Sequence, residues 1–146
     1  MGWFKFLINF ALWAGAILNI LSAIPVLTGS QYGDARTIEL VYAMFDGLQT
    51  LDTISGLLAI ALGIFGIYTR FQLAGFKAKG PKLLTILYAG AIVSNVIYII
   101  GYDTLLPASV LADINMTSFY TSCITSAVMI FVNQSYFKKR ADLFVN

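Results

Sequence analysis

The stretch LQTLDTISGLLAIALGIFGIYT, residues 48–69, decides the fold class. It holds one charged side chain, Asp52, and is long enough to cross a hydrocarbon core of about 30 Å, for which roughly 20 apolar helical residues suffice. Reading on from Asp52, the residues Asp52, Gly56, Ala59, Gly63, Gly66 and Arg70 recur at alternating steps of four and three. That spacing keeps one stripe on one face of a left-handed helix pair. Small residues on such a stripe let helix backbones approach closely, and in lipid it is packing that holds helices together. The stripe is therefore expected to face protein.

Three further stretches qualify as spans, giving segments of about 3–27, 48–69, 83–102 and 114–137. The 146-residue chain is 59% hydrophobic and 11% charged, with a mean hydropathy of +0.82. It is far more apolar than a soluble domain of this length. The expected fold is an all-α integral membrane protein: one four-span domain over residues 1–146, arranged as an antiparallel four-helix bundle. Turn formers mark the connectors at Gly29 to Gly33, Gly75 to Pro81, and Gly101 to Asp113 with Pro107.

Basic residues sort between the two sides. Lys5 precedes the first span, Arg70, Lys77, Lys79 and Lys82 fill the middle connector, and Lys138, Lys139 and Arg140 follow the last, leaving only Arg36 elsewhere. The positive-inside rule then places both termini and the middle connector in the cytoplasm, most simply at the cell membrane. The other loops are acidic, with Asp34, Glu39 and Asp46 in one and Asp103 and Asp113 in the other. The first span is long for a signal peptide and lacks a clear cleavage site, so it is read as retained.

Function classes are narrowed by what is missing. There is no histidine, and Cys123 is the single cysteine. Imidazole-ligated metal and haem sites, histidine acid/base chemistry and internal disulfides are therefore absent. No phosphate loop or nucleophile–base pair is found. No catalytic residue, metal or cofactor is expected, and a net charge of +2 argues for no nucleic-acid partner. The first span has no acid, the chain has no cysteine pair, and no Arg/Asn/Glu-rich motif can be placed, so no resemblance to a known four-span family is drawn.

Two acids sit near the start of the second span. Asp46 reads as the N-cap of that helix, with Gln49 at N3 completing a capping box. Before it, Ile38, Val41 and Phe45 lie at helical spacing and predict a short amphipathic helix on the outer interface. Asp52 lies about 27 Å along the helix from Arg70, just inside the outer hydrocarbon edge. Ser22 is about 26 Å from Lys5, Tyr98 about 24 Å from Lys82 and Thr121 about 24 Å from Phe137, all at a similar level. Asn19 and Asn95 lie about one turn deeper. The preferred reading of Asp52 is a hydrated helix-terminal residue held by Gln49, Thr53 or Ser55. The other is a proton or cation site in which Asp52, Asn19, Ser22, Asn95, Tyr98 and Thr121 line a ligand or ion pathway.

The segments LWAGAIL (12–18) and LYAGAIV (87–93) share a pattern. They read either as a parallel internal repeat or as coincidence, in which case Ala14, Gly15, Ala89 and Gly90 are close helix-packing positions. The mixed basic and aromatic stretch TRFQLAGFKAKGPK reads as the ordinary topological signal, with an acidic-lipid or partner site as the other reading. Asn115-Met116-Thr117 fits a glycosylation sequon and is given little weight. The expected function is a non-enzymatic structural, accessory or regulatory membrane component. The alternative is a small oligomeric transporter or channel for protons or small cations that uses Asp52. The expected partners are the lipid bilayer and either a second copy of the chain or a larger membrane partner.

Overall fold

The computed structural model describes residues 1–111 and 116–145, and these form helices joined by short turns, with no strand among the described residues. Helix α1 covers Gly2–Thr28 and contains a π-helical turn at Leu7–Ala11. Helices α2 (Ala35–Met44), α3 (Leu48–Ala74) and α4 (Gly80–Leu105) follow, then a single turn α5 (Ala108–Leu111) and α6 (Thr117–Lys138). Three helices, α1, α3 and α4, are long and apolar enough to cross a membrane. Helix α6 has 22 residues, and its hydroxyl and amide side chains keep its hydropathy below that of the other three.

The long helices pack in chain order, α1 on α3, α3 on α4 and α4 on α6. Both chain ends and the 75–79 connector lie at one end, here the terminal end, where Phe4, Leu7, Leu73, Leu84, Phe137 and Phe144 are buried together. Phe76 adopts a left-handed φ of 51°, which turns its ring onto Phe4 at 5.2 Å and Phe144 at 5.5 Å. Helices α1 and α6 come together here, through a hydrogen bond from Trp3 Nε1 to Asn133 Oδ1 at 3.1 Å and an edge contact between Phe4 and Phe137. Arg70 donates Nε to the Ile8 carbonyl inside the π turn at 3.1 Å and lies over the rings of Trp13 and Phe71.

On α3, Gly56, Gly63 and Gly66 are buried while Ala59 is half-buried. A Cβ on Gly63 would lie 2.8 Å from Ile20 Cγ1 and 3.0 Å from the Ala16 carbonyl oxygen, and one on Gly56 would lie 2.4 Å from Leu27 Cγ. Gly66 sits near both Ala16 and Leu87. The small-residue stripe thus lies against α1, reaching α4 at Gly66. A Cβ on Gly90 would lie 3.0 Å from Leu62 Cδ2, and Ala14 is half-buried. Gly15 has nothing within 4 Å of where a Cβ would stand, and Ala89 is exposed, so neither is a close-contact position.

Several expected boundaries move. Helices α3 and α4 run past residues 69 and 102 to Ala74 and Leu105, because hydropathy marks the hydrocarbon region and not the end of hydrogen bonding. Gly101, read as a turn former, is helical, and a Cβ there would stand 2.5 Å from Leu51 Cδ2. Asp46 is exposed and is not the cap: Gly47, at φ 85°, is the N-cap of α3, with no side-chain cap bond. Asp34 caps α2 instead, accepting from the Thr37 amide and hydroxyl, both at 2.8 Å. These two bonds hold the exposed Asp34 carboxyl below the usual carboxylate range. Asp34→Ala is expected to fray the first turn of α2, seen as lost amide protection at Thr37 and Ile38 with α3 unchanged. The start of the expected fourth span at Ile114, the loop acid Asp113 and the sequon residue Asn115 lie outside the described residues.

Candidate functional site

At the opposite end, the loop end, the chain after α1 folds back over the helices. Gly29 ends α1 at φ 72°, and a Cβ there would stand 2.9 Å from the Tyr42 hydroxyl. The glycine therefore supplies both the left-handed turn and the room for Tyr42. The tight turn Ser30–Tyr32 follows and aims Tyr32 inward, and α2 brings Tyr42 to its edge, with ring centroids 5.7 Å apart. Tyr98 and Tyr102 are one helical turn apart on the buried face of α4.

These rings surround Asp52, which is 1% exposed. Tyr98 donates its hydroxyl to Asp52 Oδ1 at 2.8 Å, and Tyr32 and Tyr42 donate to Oδ2 at 2.9 and 3.0 Å. The Tyr102 hydroxyl is bonded to those of Tyr32 and Tyr98. Gln31 Nε2 donates to Tyr98 and Tyr102 at 3.1 and 3.2 Å. A phenol has one proton to give, so Tyr32, Tyr42 and Tyr98 each spend theirs on the carboxylate, while the Gln31 amide nitrogen donates to the oxygens of Tyr98 and Tyr102 from behind and Tyr102 has one proton to share between Tyr32 and Tyr98. The expected partners Gln49, Thr53 and Ser55 are not used: Thr53 bonds to the Gln49 carbonyl, and Ser55 Oγ has no hydrogen-bond partner among the described residues. Asp52 points sideways into α4 and the folded-back loop, not up toward its own helix end.

Outside the spans, burial and then the Tyr102 hydroxyl push the Tyr32 phenol far above its ordinary pKa, and burial and then the Asp52 bond do the same for Tyr42. Both stay protonated in the fold while an unfolded chain would lose those protons near pH 10. Since the folded form then holds more protons, stability is complete below about pH 10 and falls as pH rises beyond it. An alkaline titration is expected to show Tyr32 and Tyr42 ionising together with unfolding, and ionisation in the intact fold would contradict the burial.

Beside the cluster, a cleft of about 740 Å³ opens between α1 and α6, with α3 and α4 at its back. Asn19, Ser22, Asn95 and Tyr98 line it. Asn95 Nδ2 is tied to the Ala91 carbonyl and to Ser122 Oγ, and Ser22 Oγ turns back to the Asn19 carbonyl. Thr121 lies instead in an adjoining shallow groove on α6, with Thr117 and Thr125 among its walls, which shares Ser118, Ser122 and Ser126 with the cleft. Of the six expected pathway residues, then, Tyr98 touches both the carboxylate and the cleft. Asn19, Ser22 and Asn95 share the cleft, and Asp52 and Thr121 lie off it. Sequence reasoning missed Gln31, Tyr32, Tyr42 and Tyr102. The signal available was the Tyr98/Tyr102 pair at a four-residue step.

No family model, curated protein or solved structure matches this chain.

Proposed function

We propose that the chain is a four-span integral membrane protein of the cell membrane, with α6 as the fourth span and the terminal end in the cytoplasm, acting as a non-enzymatic accessory or structural component. The basic residues support this orientation: Lys5, Lys77, Lys79, Lys82, Lys138, Lys139 and Arg140 all belong to segments at or next to the terminal end. The observation that carries the functional reading is the closure of Asp52. Three phenols fill its two oxygens, and among the described residues no charged side chain lines the cleft beside it. A carboxylate so enclosed works as a clamp joining the loop, α2, α3 and α4, and not as a station on an ion path.

The second reading, a small oligomeric transporter or channel for protons or small cations, keeps one specific support. Tyr98 bonds the carboxylate and also borders the cleft, so its hydroxyl connects the two. Proteoliposomes separate the readings. The expected result is no proton, sodium or potassium flux above empty vesicles for either wild type or Asp52→Asn. Flux in wild type that disappears in Asp52→Asn would establish transport and remove the accessory role.

A further inference from the structure

We infer that the cleft between α1 and α6 is a binding site for an uncharged single-chain amphiphile, with its polar head toward the loop end and its tail toward the terminal end. The site goes beyond the accessory role proposed above and shares with it the membrane-embedded fold.

The cleft is graded along its length. Packing of Gly56 on Leu27, of Gly63 on Ile20, and of Gly66 on Ala16 and Leu87 sets the levels of α1, α3 and α4 against one another, and the Asn95–Ser122 bond sets α6. Toward the terminal end the walls are mostly apolar, Ala11, Leu12, Gly15, Ala16, Gly66 and Leu87, with the Tyr88 phenol and the Ser126 hydroxyl as the polar groups on that side. From Asn19 toward the loop end they carry Ser55, Asn95, Ser122 and Gln31. From Ala11 to Val26 the cleft extends about 22 Å along α1 at 1.5 Å per residue. One leaflet of hydrocarbon is about 15 Å, half of the roughly 30 Å core. A tail one leaflet long with a small head fits that length.

Ser55 shows that the polar part awaits a partner. It is nine-tenths buried, it belongs to the cleft wall, and its hydroxyl, just beneath the wall surface, is unbonded among the described residues. A buried hydroxyl left unpaired is destabilising, and a ligand that bonds it removes that cost. Charge narrows the head group. Among the described residues no Asp, Glu, Lys or Arg lines the cleft, so a carboxylate, phosphate or amine head would be buried there without a counter-charge. Hydroxyl or ester heads can both give to and take from serine and amide side chains. Size argues against a partner helix seated wholly within the cleft. A 20-residue helix about 30 Å long and 10 Å across occupies on the order of 2,400 Å³, against about 740 Å³ here. That volume lies in the range of roughly 300–1,000 Å³ typical of small-molecule sites.

The test uses the full chain in phosphatidylcholine vesicles with a monoacylglycerol carrying a photoreactive diazirine in its tail, and locates labels by peptide mass spectrometry. Labels are expected on the wall residues of α1 and α6, displaced by unlabelled monopalmitoylglycerol and not by palmitate. Gly15→Leu starts its side chain in the cleft wall, where no atom lies within 4 Å of a Cβ, and is expected to lower wall labelling at least about tenfold, a loss worth one decade of affinity. Ser55→Ala is expected to weaken binding about fivefold, the worth of one neutral hydrogen bond, while raising the melting temperature of the unliganded protein. Labels confined to outward-facing Ile17 and Phe131 would overturn the site and leave the membrane reading standing. Absence of label anywhere would overturn both. Equal displacement by palmitate would overturn the uncharged head.

Discussion

Asp52→Ala is expected to lower stability by about 3–5 kcal/mol, because it strands three phenol donors at once and each buried unpaired donor costs about 1–3 kcal/mol. The three losses are not equal. Tyr98 is 3% exposed and is left with only the Tyr102 hydroxyl for its proton, which Tyr32 also reaches, so it contributes most. Tyr32 keeps its contact with Tyr102, and Tyr42, half-buried at the edge, regains water. Asp52→Asn keeps one acceptor oxygen for Tyr98 and presents an amide to Tyr32 and Tyr42, whose hydroxyls can rotate to accept. Its expected cost is about 1–2 kcal/mol, that of one or two imperfect bonds. Unfolding in mixed micelles measures both variants, and amide exchange locates the damage. Protection is expected to vanish first in α2 and then in the 29–34 turn, since the carboxylate is the hydrogen-bonded tie of Tyr42 to α3, whereas the turn keeps the bonds of Gln31 and Tyr32 to α4. An alanine variant within about 1 kcal/mol of wild type, less than one such bond is worth, would show that the cluster does not hold the loop end.

The same site shows where sequence reading stops. The depth of Asp52 follows from counting residues at 1.5 Å each from Arg70, and its burial agrees with the glycine stripe on which it lies. Its partners were out of reach, because Tyr32 and Tyr42 belong to a connector whose position depends on how Gly29 turns the chain. A glycine in sequence marks a turn without stating its direction. The misplaced cap at Asp46 has the same origin: "DG" reads as cap and first helical residue, but the left-handed φ of Gly47 shifts the helix start by one position. Three of the long apolar runs were legible as helices that can cross a membrane, since length and hydropathy are enough for that. The π turn at Leu7–Ala11 was not, because LINFA has no proline, glycine or charge to mark it. Its position answers to Arg70, which reaches Ile8 from another helix.

The α1–α3 seam carries the other large effect. Gly63→Ala is expected to cost about 1–3 kcal/mol and Gly63→Leu the upper end of that range or more, the usual penalty for overfilling a close-packed contact. The reason is the identity of the neighbours. A Cβ at position 63 meets Ile20 Cγ1 at 2.8 Å, and a side chain can rotate away, but it also meets the Ala16 carbonyl oxygen at 3.0 Å, and backbone cannot. The helices must then separate along the stripe, loosening Gly56 against Leu27 and Gly66 against Ala16 as well. Gly56→Ala is the informative contrast. Its nearest contact is closer, 2.4 Å, but falls on the Leu27 side chain alone, so rotamer change can relieve it and the expected loss is smaller. Gly15→Ala, with nothing within 4 Å, is expected to be neutral or stabilising by up to about 1 kcal/mol from helix propensity. The order Gly63, Gly56, Gly15 in unfolding free energy, measured in one micelle system, tests whether backbone proximity sets the seam. If Gly63→Ala proves as mild as Gly15→Ala, α1 and α3 are not held at backbone contact, and the stripe cannot be what positions Asp52 at the loop end.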